Sequence, residues 1–146
     1  MDSTGNARNE EIYHSGPIQG PILIVDDHAA TARSLAKLLT AAGYLTQVAH
    51  SAVDALDKVK TAAAPPIAAI IDIHLPDLSG LTVSQKLREK LGPDVPLILL
   101  SGDTSMETIN ALPRVGATYF VSKPIHASSF LEMIKKCLPS AKGERP

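Results

Sequence analysis

Residues 22–27 read ILIVDD, four branched apolar side chains followed by two carboxylates. An unbroken apolar run of this length suits a strand covered on both faces, as in a parallel sheet. Three further runs repeat the plan: IAAIID at 67–72 closes on Asp72, LILLS at 97–101 on Ser101, and TYFVSK at 118–123 on Lys123. A weaker strand fits 44–49. Helical spacing fills the gaps, with Ala32, Leu35, Leu38, Leu39 and Ala42 after the first run and Val53, Leu56 and Val59 after the second. The last helix carries Phe130, Leu131, Ile134, Cys137 and Leu138 on one stripe. Five strands alternating with helices predict an α/β fold of βαβ units around a parallel sheet. Right-handed crossovers leave few topologies for such a chain.

Turn and cap residues punctuate this pattern. Gly43 is placed to end the first helix, Ser51 to cap the second, and Pro65-Pro66 to stop it. The segment HLPDLSG at 74–80 is rich in turn formers, and a helix at 81–91 ends at Gly92-Pro93. Thr104-x-x-Glu107 reads as a capping box for the fourth helix, which Pro113 keeps short. Residues 1–19 and 140–146 lack periodicity and are expected to be tails around one domain at 20–139.

Composition bounds the function class. The 146 residues are 45% hydrophobic and 20% charged, ordinary values for a globular protein. With 14 basic and 15 acidic residues the net charge is −1, so no electrostatic footprint for nucleic acid is present. The apolar runs fall far short of the roughly 20 residues that span a bilayer. One cysteine, Cys137, excludes an internal disulfide framework and fits a reducing cytoplasm.

The polar residues closing the runs suggest chemistry. In an open parallel sheet the carboxyl ends of the strands form one edge, where ligands bind. Asp26, Asp27, Asp72, Ser101 and Lys123 are therefore expected to converge. Two carboxylates 4 Å apart repel by roughly 4 kcal/mol at an effective dielectric near 20, which a divalent cation relieves. Magnesium suits such a site, because it takes one or two carboxylates together with phosphate oxygens and water. Asp72 closes the most apolar run and is placed to act as a nucleophile. Taken singly, each residue has an ordinary role: Asp26-Asp27 as helix caps, Ser101 in a loop, Lys123 in solvent. Their convergence carries the case. His14, His28, His50 and His126 show no metal-ligand spacing and read as surface residues.

ILIVDD, the segment DIHLPDLSG at 72–80, LLSG at 99–102 and Lys123-Pro124 together resemble the receiver domain of two-component response regulators. The resemblance spans about 21–138 and implies a flavodoxin-like three-layer (βα)5 sandwich with sheet order 2-1-3-4-5. It implies that Asp72 accepts a phosphoryl group and that Asp26, Asp27, Asp72 and the backbone carbonyl of His74 surround Mg2+ (or Mn2+). Ser101 becomes the signalling hydroxyl, and Lys123 the phosphate-contacting lysine, often followed by a cis proline. The implied partners are a sensor histidine kinase or histidine phosphotransferase and an unknown downstream protein, with no nucleic acid or membrane. Autocatalytic phosphorylation and slow dephosphorylation replace enzyme turnover.

The sequence departs from the family pattern in three respects. The aromatic switch position holds Phe120, which has no hydroxyl, with Tyr119 on the opposite face. Pro113 interrupts the helix that usually moves. His74 and Asp103 occupy the positions that tune phosphate lifetime. A stand-alone receiver is the leading expectation, and a phosphorelay intermediate or hybrid-kinase receiver the alternative. An aspartate-nucleophile phosphatase requires a second Asp where His74 stands. A flavodoxin-like electron carrier requires a phosphate loop where the acidic DDHAATA lies.

Overall fold

The computed structural model describes residues 20–102 and 105–138. Both expected tails, with His14, lie outside them, as do Asp103 and Thr104. The elements are β1 (Ile22–Val25), α1 (Ala29–Ala41), β2 (Thr46–Ala49), α2 (Ala52–Thr61), β3 (Ala68–Asp72), α3 (Gly80–Leu91), β4 (Leu97–Ser101), α4 (Met106–Ala111), a 3₁₀ turn (Pro113–Val115), β5 (Tyr119–Ser122) and α5 (Ala127–Cys137). All strand pairs are parallel, in the order β2-β1-β3-β4-β5. This is the flavodoxin-like arrangement expected from the resemblance.

The unbroken apolar runs are explained by burial on both faces of the sheet. Ile22 and Ile24 of β1, with Ile70 and Ile98, pack beneath Leu35 and Leu39 of α1 and Phe130 and Ile134 of α5. Leu23 and Val25, with Ile71 and Leu99, pack against Ala52 and Ala55 of α2 and Val83 and Leu87 of α3. Every residue of β1, β3 and β4 is buried. β5, at one edge, is exposed at both ends and half-buried between.

Local punctuation agrees with the sequence at several points. Gly43 follows α1 at φ 99°, a conformation that favours glycine. Ser51 caps α2, its Oγ accepting the Asp54 N–H at 3.1 Å. Elsewhere the structure differs. α2 ends at Thr61, short of Pro65-Pro66, and β2 begins at Thr46 rather than at Tyr44, which is buried ahead of it. α4 is capped by Ser105, whose Oγ accepts the Thr108 N–H at 3.3 Å; Thr104, where the expected box starts, lies outside the described residues. The adjacent serine offers the same capping oxygen one residue later, leaving a helix of six residues. Pro113 then begins the 3₁₀ turn, where its missing N–H is harmless. Cys137 is only half-buried at the rim of the core, and burial raises its thiol pKa.

Arg88 of α3, which the pattern did not single out, ties this second half together. Its guanidinium donates to the carbonyls of Gly92 and Val95, both at 2.7 Å, and of Gly116 at 2.6 Å. Among the described residues no helix is long and apolar enough to cross a membrane.

Candidate functional site

Strand register builds the site. Val25 stands opposite Ile71, and Asp72 opposite Leu100, so Asp26 and Asp72 emerge side by side from the central strands. Ser101 pairs with Ser122, which puts Lys123 one residue beyond the end of β5. The Lys123 N–H donates to the Ser101 carbonyl at 2.9 Å, holding the start of the loop against β4. The Lys123–Pro124 bond is cis, as the resemblance implied.

The side chains converge accordingly. Lys123 Nζ donates to Asp72 Oδ2 at 3.0 Å and stands 3.5 Å from Asp26 Oδ2. Asp26 and Ser101 are fully buried and Asp72 nearly so, whereas Asp27 is exposed at the mouth. Burial, the largest single influence on Lys123, lowers its pKa. The hydrogen bond to Asp72 and the charges of Asp26 and Asp72 outweigh that effect and hold it above the ordinary lysine value. The ammonium therefore stays charged at neutral pH.

The loop after β3 completes one side. The His74 N–H donates to Asp72 Oδ1 at 2.9 Å, so each oxygen of the buried carboxylate has a donor. Gly80 lets the loop fold back on the strand. Its N–H donates to the Ile73 carbonyl at 2.7 Å, and a Cβ there would stand 2.3 Å from the Asp72 carbonyl oxygen. Asp77, in sequence only a turn residue, accepts from Ala52 N–H at 3.0 Å and Val53 N–H at 2.9 Å. It thereby fastens the loop to the first turn of α2. The Val53 bond, then the Ala52 bond, hold its carboxyl pKa below the usual value. A groove of about 530 Å³ opens beside this loop, lined in part by Asp27, His74, Ser79, Glu107 and Arg114.

One feature favours a cation. Asp26 Oδ2 is buried and has no hydrogen-bond partner among the described residues. Leaving a buried acceptor unsatisfied costs about 1–3 kcal/mol, more when it is charged, and the ion pair at 3.5 Å compensates only in part. Ligand atoms from Asp26, Asp27, His28 and Asp72 all lie within 4.8 Å of one another, a set that can hold a metal ion. The chemistry of the donors fits a hard divalent ion.

Two histidines expected on the surface are exposed there and also border this site. His28 is exposed, yet its Nδ1 lies 3.3 Å from both Asp26 Oδ1 and Asp27 Oδ1. His50 Nδ1 lies 3.0 Å from the Asp26 carbonyl oxygen. Spacing along the chain gave no signal for either, since the β1–α1 turn folds His28 back and strand pairing delivers His50. His126 is exposed at the start of α5. Phe120 is half-buried against the α2–α3 side, and Tyr119 is 40% exposed.

Comparison with known proteins places the fold in a family. Residues 22–135 match the response regulator receiver domain model. The chain is 37% identical over 107 residues to the photosynthetic apparatus regulatory protein RegA of Rhodovulum sulfidophilum, covering 73% of this chain and 57% of that one. It is 34% identical over 123 residues to the response regulator MprA of Mycobacterium avium, covering 84% and 53%. The chain thus spans just over half the length of these curated relatives. A solved receiver domain protein (CheY-like) from Methanospirillum hungatei superposes with a TM-score of 0.75 at 31% identity, covering 82% of this chain and 93% of that one. The family model over most of the chain and these relatives agree with the fold: the chain belongs to the response regulator receiver domain family.

Proposed function

We propose that Asp72 accepts a phosphoryl group from a phosphohistidine of a sensor histidine kinase or histidine phosphotransferase, and that the acyl phosphate changes the conformation of the domain. The observation that carries this reading is the buried Asp72 carboxylate held at 3.0 Å by Lys123, beside Asp26 Oδ2, which pairs with the same ammonium at 3.5 Å and has no hydrogen-bond partner among the described residues. A carboxylate oxygen of Asp72 attacks phosphorus, and the P–N bond to the donor histidine breaks. The electron pair leaves with the imidazole nitrogen, which takes up a proton. Lys123 is placed to follow the charge from the carboxylate to the new phosphoryl oxygens, and the Ser101 hydroxyl to donate to another. Asp26, Asp27 and Asp72, with the His74 carbonyl, would hold Mg2+, which supplies charge neutralisation for the phosphoryl oxygens. Hydrolysis by water then resets the switch, slowly and without another catalyst, in a cytoplasmic setting.

Two surfaces support the partner assignments. An apolar groove of about 630 Å³ lies between α1 and the loop after β5, beside Lys123, and includes Ala30, Leu35, Leu38, Pro124 and Ile125. It is placed to seat a protein that presents its phosphohistidine to Asp72. Met106 and Ile109 of α4 and Tyr119 of β5 are exposed apolar side chains, suited to a downstream partner. The tuning roles of His74 and Asp103, and the hydroxyl-free Phe120 switch, belong to the same reading.

The test is direct. Incubation with Mg2+ and acetyl phosphate should add one phosphoryl group by intact mass, with no adduct in Asp72→Asn or without metal. An adduct of equal yield in Asp72→Asn removes the assignment.

A further inference from the structure

The acidic cluster has a fourth donor that phosphoryl transfer does not use. His28 is the N-cap residue of α1, yet its side chain makes no capping hydrogen bond to the helix. Its backbone N–H donates to Asp26 Oδ1 at 2.9 Å, which closes the turn and brings the ring over the carboxylates. Nδ1 then lies 3.3 Å from an oxygen of Asp26 and 3.3 Å from an oxygen of Asp27. The contact to Asp26 Oδ1 is within hydrogen-bonding reach, although both distances exceed the 2.7–3.2 Å that an N–H···O bond prefers. They are close to the edge of a coordination shell: ligands about 2.1 Å from an octahedral ion stand about 3.0 Å from their neighbours and about 4.2 Å from the opposite ligand. The four donors lie within 4.8 Å of one another, and the buried Asp26 Oδ2 has no hydrogen-bond partner among the described residues.

We propose that His28 Nδ1 is a ligand of the divalent ion at this site, so that the site favours borderline ions such as Co2+ or Zn2+ over Mg2+ more than an all-oxygen site does. The proposal rests on the reading that the acidic cluster holds a metal. Its physical basis is donor softness. Imidazole suits first-row transition ions, whereas magnesium keeps to oxygen and sheds water reluctantly. A nitrogen donor therefore raises affinity for the first class and does little for the second. Here the ring comes from the residue after the acidic pair, so the two carboxylates and the imidazole form one continuous segment. The opposite arrangement, an imidazolium merely bridging two carboxylates, makes His28 a competitor of every cation alike.

The experiment titrates the metal-free full chain with Mg2+ alone and with Co2+ alone, at a fixed, mildly alkaline pH. Wild type, His28→Gln and Asp27→Asn are compared. The expected result is a loss of about tenfold or more in Co2+ affinity for His28→Gln, with Mg2+ affinity nearly unchanged. Pulsed EPR of the Mn2+-loaded protein should show a directly coordinated nitrogen that disappears in His28→Gln. Thermal melting should match wild type, because the replaced ring is exposed. Equal change in affinity for both ions, in either direction, overturns the nitrogen-ligand role, as does a nitrogen coupling that survives His28→Gln. If Asp27→Asn binds both ions as wild type does, the metal is elsewhere, and the reading beneath this inference fails with it.

Discussion

The β1–β3–β4 centre and the α4–β5 edge differ in how tightly they are held. The central strands are buried along their whole length, and the carboxylates at the tips of β1 and β3 sit at the end of that packed slab. At the edge, α4 spans six residues, a 3₁₀ turn replaces its continuation, and β5 is half-buried at best. Fewer buried apolar contacts mean smaller local opening free energies. Lys123 joins the two regions: it closes the edge strand, yet its ammonium pairs with the central Asp72. A change of charge on Asp72 therefore pulls on the region least able to resist it.

The largest expected effect tests the central half. Leu99→Ala, in the middle of β4, should cost about 3–4 kcal/mol by urea denaturation, from lost burial and a cavity in a site closed on both sides. The matching change at the edge, Val121→Ala, should cost about 1 kcal/mol, because part of that side chain already meets solvent. Equal costs would erase the contrast.

Next in size is the loop after Asp72. Gly80→Ala places a Cβ 2.3 Å from the Asp72 carbonyl oxygen and 2.5 Å from Ile73 Cα, so backbone must move. We expect a loss of about 2–3 kcal/mol and slower uptake of phosphoryl from acetyl phosphate. Gly92→Ala meets nothing within 4 Å, although its φ of +91° still disfavours a side chain, and should cost about 1 kcal/mol. Arg88→Ala removes three bonds from a guanidinium to backbone carbonyls at the junction with the edge half. The expected cost is about 2 kcal/mol, with faster amide exchange concentrated around Gly116.

The smallest effect concerns Asp77, which fastens the loop to α2. The N–H groups of Val53 and Ala52 favour its ionised form, so its folded pKa lies below the ordinary aspartate value. A depressed folded pKa gives stability that is complete above the unfolded value and disappears as pH falls through the folded one. The gap in urea midpoint between wild type and Asp77→Asn should therefore be constant near neutrality and close below about pH 4. A gap that widens in acid contradicts the assignment.

The same division separates what could be read in the sequence from what could not. Apolar runs ending in Asp26, Asp72 and Ser101 revealed the central strands and their tips, because burial on both faces leaves an unbroken signature, and the run before Lys123 showed the half-buried edge strand. Ser51 and Gly43 carried local signals and stand as read. The edge half was less legible, since a proline and several capping candidates compete over a few residues, and the N-cap of α4 is Ser105. The reach of Arg88, the hold of Asp77 on α2 and the return of His28 toward Asp26 and Asp27 depend on tertiary geometry. No periodicity encodes such contacts.

The central claim is that Lys123 carries the state of Asp72 into the α4–β5 edge. Hydrogen exchange with and without Mg2+ and acetyl phosphate, in wild type and Lys123→Ala, tests it most directly. The account predicts that phosphorylation alters exchange of the α4 and β5 amides in wild type. In Lys123→Ala that response should be lost although the phosphoryl adduct still forms by mass. An undiminished response in Lys123→Ala at equal phosphorylation would contradict it.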